Sequence, residues 1–171
     1  MAKNKVIFTC DWEMWNSFDH HSKWDKNESI DEPTNYLLDL LRRHDIKAIF
    51  YCVGWLKDNR PDLFKTIQFE GHKLGDHTYF HKGLPTFKPG RSPRWKGEKR
   101  LFSGGFWFRL IPYWWIKREI EKTGIFFIHP HDVLLDHPDF GKRNFDRNIG
   151  LKTSSDNLER LVRELVWDEP R

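Results

Sequence analysis

Apolar and polar positions fall in blocks along the chain, and the blocks alternate in kind. Lys5-Val6-Ile7-Phe8-Thr9-Cys10 is a continuous apolar run, the pattern of a buried strand, and it gives way to Asp11-Trp12-Glu13. After a polar loop, Leu37, Leu38, Leu40 and Leu41 recur at helical spacing, with Asp31 or Thr34 as the cap and an end near His44-Asp45. Lys47 to Val53 is a second buried strand closed by Gly54, and Pro61 opens a helix that runs to about Phe69 and stops at Gly71. His72-Lys73-Leu74-Gly75 is a short third strand that delivers Asp76-His77. Farther on, a helix over Ile111 to Lys122 leads into a fourth strand, Ile125-Phe126-Phe127-Ile128, followed by His129-Pro130-His131-Asp132. A last amphipathic helix spans roughly Ser155 to Val166, with Leu158, Leu161, Val162 and Leu165 on one face. Strand and helix in alternation predict an α/β fold of parallel strands with crossover helices, its functional loops at the carboxyl ends of the strands.

Length changes this picture little: 171 residues suit a single domain, 1–171, with a sizeable core. The stretch from Lys82 to Gly105, rich in Pro, Gly, Lys and Arg, predicts a long loop, and its basic part, Lys88 to Arg100, reads as a solvated one. The charge balance, 29 basic against 25 acidic residues, is mild and comes with no nucleic-acid motif, so nucleic acid is not expected as a partner. No apolar run reaches the roughly 18 residues of a spanning helix, and the N-terminal apolar stretch is too short for a secretory signal; a cytoplasmic location is the expectation. Cys10 and Cys52 lie in or beside apolar runs and read as buried free thiols. Nine Trp, fourteen Phe and four Tyr make 16% of the chain aromatic, which serves a core and also suits stacking against sugar rings.

Chemistry-bearing residues gather at the predicted strand ends. Asp11 and Glu13, two apart, point the same way on an extended chain, so one side of the strand end carries two carboxylates. His77 and His81 are four apart, and on a turn of helix both imidazoles would share a face suited to a divalent metal. One carboxylate with two histidines leaves positions for water and substrate, as catalytic rather than structural metal sites do. His129 ends the fourth strand and, at the same mouth, is a candidate general acid.

These residues also carry a resemblance. Leu37-Leu38-Asp39-Leu40-Leu41, Lys47-Ala48-Ile49-Phe50 and Gly54-Trp55-Leu56 resemble the first helix and second strand of the polysaccharide deacetylases, a family of carbohydrate esterases. Gly71-His72-Lys73-Leu74-Gly75-Asp76-His77-Thr78-Tyr79-Phe80-His81 resembles the family's histidine motif. Gly104 to Tyr113 and Phe127-Ile128-His129-Pro130 resemble a subgroup associated with exopolysaccharide and lipopolysaccharide synthesis. The resemblance implies a (β/α) barrel, shortened and irregular because only about twenty residues separate His81 from Gly104. It implies Asp11 as base, Glu13, His77 and His81 as ligands of one divalent metal (Zn²⁺, with Co²⁺, Ni²⁺ or Mn²⁺ as alternatives), and His129 as acid. Arg91, in Arg91-Ser92-Pro93, or Arg109 would steady the base. The acid that orients His129 is not identified by the resemblance; Asp132 is close in sequence. Trp12, Trp15, Trp107 and Tyr113 are candidate sugar platforms, and a backbone N–H near Tyr79 would hold the oxyanion. The implied activity is metal-dependent hydrolytic N-deacetylation of an N-acetylated sugar or polysaccharide precursor, in surface polysaccharide synthesis. The alternatives are a non-catalytic carbohydrate-binding or assembly relative, and a hydrolase of a non-sugar C–N bond.

Overall fold

The computed structural model describes residues 5–13, 30–79, 106–133 and 150–170, apart from the side chains of 106, 107 and 151. Strand β1 (Lys5–Trp12) lies in the middle of a parallel sheet. Strand β2 (Ala48–Cys52) pairs with it on one edge and β3 (Lys73–Asp76) pairs beyond β2, while β4 (Ile125–Ile128) and the two-residue β5 (Val166–Trp167) also pair with β1. The parallel α/β expectation therefore holds. Val6, Phe8, Cys10 and Trp12 share one face of β1, opposite Ala48, Phe50 and Cys52 in register, and all are buried. With both faces covered, the strands read as apolar runs rather than as alternating ones.

Helices α1 (Asp31–Arg43), α2 (Gly54–Asn59), α3 (Pro61–Phe69), α4 (Phe106–Leu110), α5 (Tyr113–Thr123) and α6 (Leu151–Glu164) supply the cover. Helix α1 has Asp31 and Glu32 in its first turn and Arg42 and Arg43 in its last, each sign opposite to the helix dipole it meets. It buries Leu37, Leu38, Leu40 and Leu41, the residues whose spacing predicts it. No side chain caps α1, so the expected capping by Asp31 or Thr34 is not what the structure shows. Thr34 instead sits inside the helix, donating to the Ile30 carbonyl at 2.6 Å and accepting the Trp12 indole N–H at 2.9 Å.

Several of the described aromatics fill the core. Phe8 lies edge-on to Phe126 at 5.0 Å and 5.3 Å from Trp167, and Phe108 of α4 reaches Phe126 at 5.6 Å. Cys10 and Cys52 are both buried free thiols, as expected. Among the described residues no helix is long and apolar enough to cross a membrane.

Candidate active site

Strand alternation assembles the site. Asp11 pairs with Tyr51 and Tyr51 with Gly75, while Thr9 pairs with Phe127, so Thr9, Asp11, Tyr51, Gly75 and Phe127 share the face opposite Phe8 and Cys10. The ladder continues one step beyond the strands, through Val53 N–H to the Trp12 carbonyl at 3.3 Å and His77 N–H to the Cys52 carbonyl at 3.1 Å. Continued alternation brings Glu13, His77 and His129 to that same face, at the carboxyl ends of β1, β3 and β4. Asp11, Glu13, His77 and His129 are all buried there.

Their heads converge. His77 Nε2 is 3.1 Å from Glu13 Oε2 and 4.0 Å from Asp11 Oδ2. His129 Nε2 is 3.4 Å from Glu13 Oε1 and 3.8 Å from Asp11 Oδ2. His77 is aimed by a strained turn: Thr78 has φ of +64°, a left-handed conformation that a β-branched residue adopts only under restraint. The restraints are the Gly54 N–H on the Thr78 carbonyl at 2.9 Å and the Thr78 N–H on Asp76 Oδ1 at 3.2 Å.

Behind His129 lies a second layer that the motifs alone did not assign. The turn Pro130–Val133, a single 3-10 turn after β4, brings Asp132 back onto the histidine. Asp132 Oδ2 accepts the His129 backbone N–H at 3.0 Å and lies 3.1 Å from its Nδ1, while Asp132 Oδ1 accepts from Arg109 at 3.0 Å. The side chains of Arg109 and Asp132 are both fully buried. Burial by itself would push the His129 imidazole down, but the Asp132 hydrogen bond and the charges of Asp132, Glu13 and Asp11 outweigh it and raise it from 6.5 to about 9. Burial likewise works to raise the Asp132 carboxyl, yet its bond to His129 and the charges of His131, His129 and Arg109 hold it well below its ordinary range. Both shifts favour an imidazolium–carboxylate pair.

The remaining candidates divide. Arg109, expected as a possible support for the base, makes its buried ion pair with Asp132 and so acts on the His129 side. Trp12 is corrected: it is fully buried and its N–H is bonded inside the core to Thr34, so it is no sugar platform. Tyr79 packs its ring against Gly54, where an added Cβ would come within 2.5 Å of Tyr79 Cδ2, and donates its hydroxyl to Asp58 at 3.0 Å. Tyr113 is held in the helical layer under the Arg160 guanidinium, 3.9 Å from the ring centroid. His81, Arg91 and Trp15 lie outside the described residues, as does the side chain of Trp107.

The donor set fits a divalent ion: a buried carboxylate and a buried imidazole with ligand atoms 3.1 Å apart are the oxygen and nitrogen donors such an ion takes. His129, His131 and Asp132 also bring one donor atom each within 4.8 Å of one another. Both Asp132 oxygens there are committed to Arg109 and His129, which makes that cluster an orienting assembly.

Fold and site together define a parallel α/β protein with a buried acid–imidazole centre at its strand ends. The chain belongs to the polysaccharide deacetylase family: residues 13–98 match that family, and residues 88–171 match a domain of unknown function, DUF3473. The chain is 42% identical to a peptidoglycan-N-acetylglucosamine deacetylase of Bacillus cereus over 53 residues, 31% of this chain and 19% of that protein. It is 34% identical to a chitooligosaccharide deacetylase of a Bradyrhizobium species over 53 residues, 31% of this chain and 24% of that protein. The chain thus spans about a quarter or less of the length of these curated relatives. The peptidoglycan deacetylase PdaC of Bacillus subtilis shares the fold, with a TM-score of 0.51 and 12% identity over 96% of this chain and 86% of that one.

Proposed function

We propose that this protein hydrolyses the N-acetyl group of an N-acetylated sugar unit in a glycan or glycan precursor, using one divalent metal held by Glu13, His77 and His81. The observation that carries the reading is the convergence of Asp11, Glu13, His77 and His129 from three strand ends, each histidine Nε2 lying 3.1–4.0 Å from an oxygen of both carboxylates. A bound divalent cation, with zinc the best match to the donors, supplies a Lewis acid that polarises the acetamide carbonyl and acidifies water. Asp11, beside the ligands and buried, accepts the proton of the attacking water. His129 carries its proton on Nε2, on the side facing Asp11 and Glu13, and gives it to the departing amine. Asp132 and Arg109 hold His129 in that orientation, as the third group of a hydrogen-bonded relay does.

The same pair argues against a binding-only relative, because a buried ion pair wired to His129 has no evident use in holding a sugar. The two family matches overlap at residues 88–98, and β1, just ahead of the first, pairs both with β2 inside the first and with β4 and β5 inside the second. Residues 1–171 accordingly act as one domain in this proposal, with a substrate from surface polysaccharide synthesis.

The test measures bound metal and acetate release together. Protein purified without chelator should carry about one divalent ion per chain and release acetate from N-acetylated chito-oligosaccharides or peptidoglycan fragments. His77→Ala should lose both. Wild-type protein that stays metal-free after incubation with Zn²⁺, Co²⁺ or Ni²⁺ would overturn the reading.

A further inference from the structure

The His129 ring is bounded on three sides. Asp132 holds its Nδ1 edge, and Phe127, on the same sheet face, meets it edge-on with centroids 5.9 Å apart at 86°. The third neighbour is His131, whose ring is stacked on that of His129 with centroids 4.9 Å apart and planes at 17°. The turn Pro130–Val133, buried along its whole length, folds residue 131 back over residue 129. His131 is itself buried, and its Nε2 lies 3.9 Å from Asp132 Oδ1.

A hydrogen bond at Nδ1 fixes one atom of an imidazole but leaves the ring able to rock about the bond that joins it to the chain. Rocking swings Nε2, the atom that faces Asp11 and Glu13. A flat ring stacked on the imidazole removes that freedom, because any large rotation drives one ring into the other. We propose that His131 is a positioning residue for His129, its stacked ring holding Nε2 on the catalytic face. This rests on the deacetylase reading for its kinetic consequence, while the restraint on the ring stands without it.

The roles separate by substitution. In His131→Phe a flat ring remains, and kcat for acetate release should stay within about threefold of wild type, since orientation is kept. In His131→Ala the ring is gone, and kcat should fall about 10- to 100-fold while KM moves less than about twofold, the pattern of a misplaced reacting group. Ring ¹³C relaxation of His129, in histidine-labelled protein, should report a rigid imidazole in wild type and His131→Phe and a mobile one in His131→Ala. Equal kcat in wild type and His131→Ala, or equal loss in Phe and Ala, overturns the proposal. A wild-type protein that releases no acetate overturns the deacetylase reading alone, and the relaxation comparison then decides the role of His131. A His131→Ala protein that unfolds, checked by circular dichroism, is replaced by His131→Leu, which fills the space without a flat face and should behave as Ala.

Discussion

Asp132 grips His129 twice with one oxygen: its Oδ2 accepts the histidine's backbone N–H at 3.0 Å and lies 3.1 Å from its Nδ1. The first bond fixes the chain and the second ties one atom of the ring, Nδ1, to the same carboxylate. The other oxygen is held by Arg109, which brings the cation of α4 under the end of β4. A buried carboxylate balanced on one side by a guanidinium and on the other by an imidazole keeps its charge without water.

Asp132→Asn keeps the shape and removes the charge. The amide can present its N–H₂ to Nδ1, which favours the wrong histidine tautomer, and the stabilised imidazolium is lost. Acetate release should drop at least about a hundredfold in kcat with KM little changed, the scale of a misarranged acid–base group. Stability should fall as well, by about 3 kcal/mol, because Arg109 is left as a buried charge without its counterion. Steady-state kinetics and a urea titration measure the two effects separately. Undiminished kcat would remove Asp132 from the relay.

Trp12→Phe tests the core reading of a residue that sequence alone offers to the substrate. The substitution deletes the bond to Thr34, leaves the Thr34 hydroxyl without that donor and opens space where the indole was. The expected outcome is a loss of about 2 kcal/mol in urea-unfolding free energy, from the hydrogen bond and the vacated volume together. KM for an N-acetylated oligosaccharide should be unchanged, whereas a sugar platform would show its loss in KM first.

Trp12 illustrates what the sequence could carry and what it could not. The strand pattern around it was legible, because a parallel strand covered on both faces must be apolar throughout, and β4 appears over the expected Ile125–Ile128. Period-two alternation then suffices to bring Asp11, Glu13, His77 and His129 to one face. Helix α2 and strand β5 leave no period in the sequence, since six and two residues are too few to show one. The parity of Trp12 sets it with Phe8 and Cys10 in the core, away from the face that carries Asp11 and Glu13. The Arg109–Asp132 pair, 23 residues apart, depends on how α4 packs under a turn, and no local pattern encodes that.

Gly75→Ala probes the floor of the catalytic face. Gly75 pairs with Tyr51, which pairs with Asp11, and a Cβ on Gly75 would stand 2.4 Å from Tyr51 Cδ1 and 2.6 Å from Cε1. The ring would have to shift in a packed layer, costing about 1–3 kcal/mol. The cost should shrink in a Tyr51→Ala background, where the obstacle is gone. A double-mutant cycle of urea midpoints measures that coupling, and additive effects would show that the clash is relieved elsewhere.

His72 should make stability depend on pH at a place remote from the proposed metal ligands' heads. Its Nδ1 accepts the Ala48 backbone N–H at 3.2 Å, which requires that nitrogen to carry no proton, and its ring lies 5.1 Å from Phe50. Burial and the nearby Lys47 ammonium push its pKa from 6.5 down to about 4. Between these values the unfolded chain takes up a proton that the folded chain refuses, so stability rises with pH across this window. The contribution is therefore complete above pH 6.5 and is lost as pH falls towards 4. Between pH 7 and 4.5 it should amount to about 2 kcal/mol, less than the full shift implies because solvent screens part of it. His72→Gln offers an acceptor that does not titrate, and its urea midpoint should fall less steeply over this range than that of wild type. Parallel curves would mean that the acid sensitivity arises from the carboxylates and histidines of the site instead.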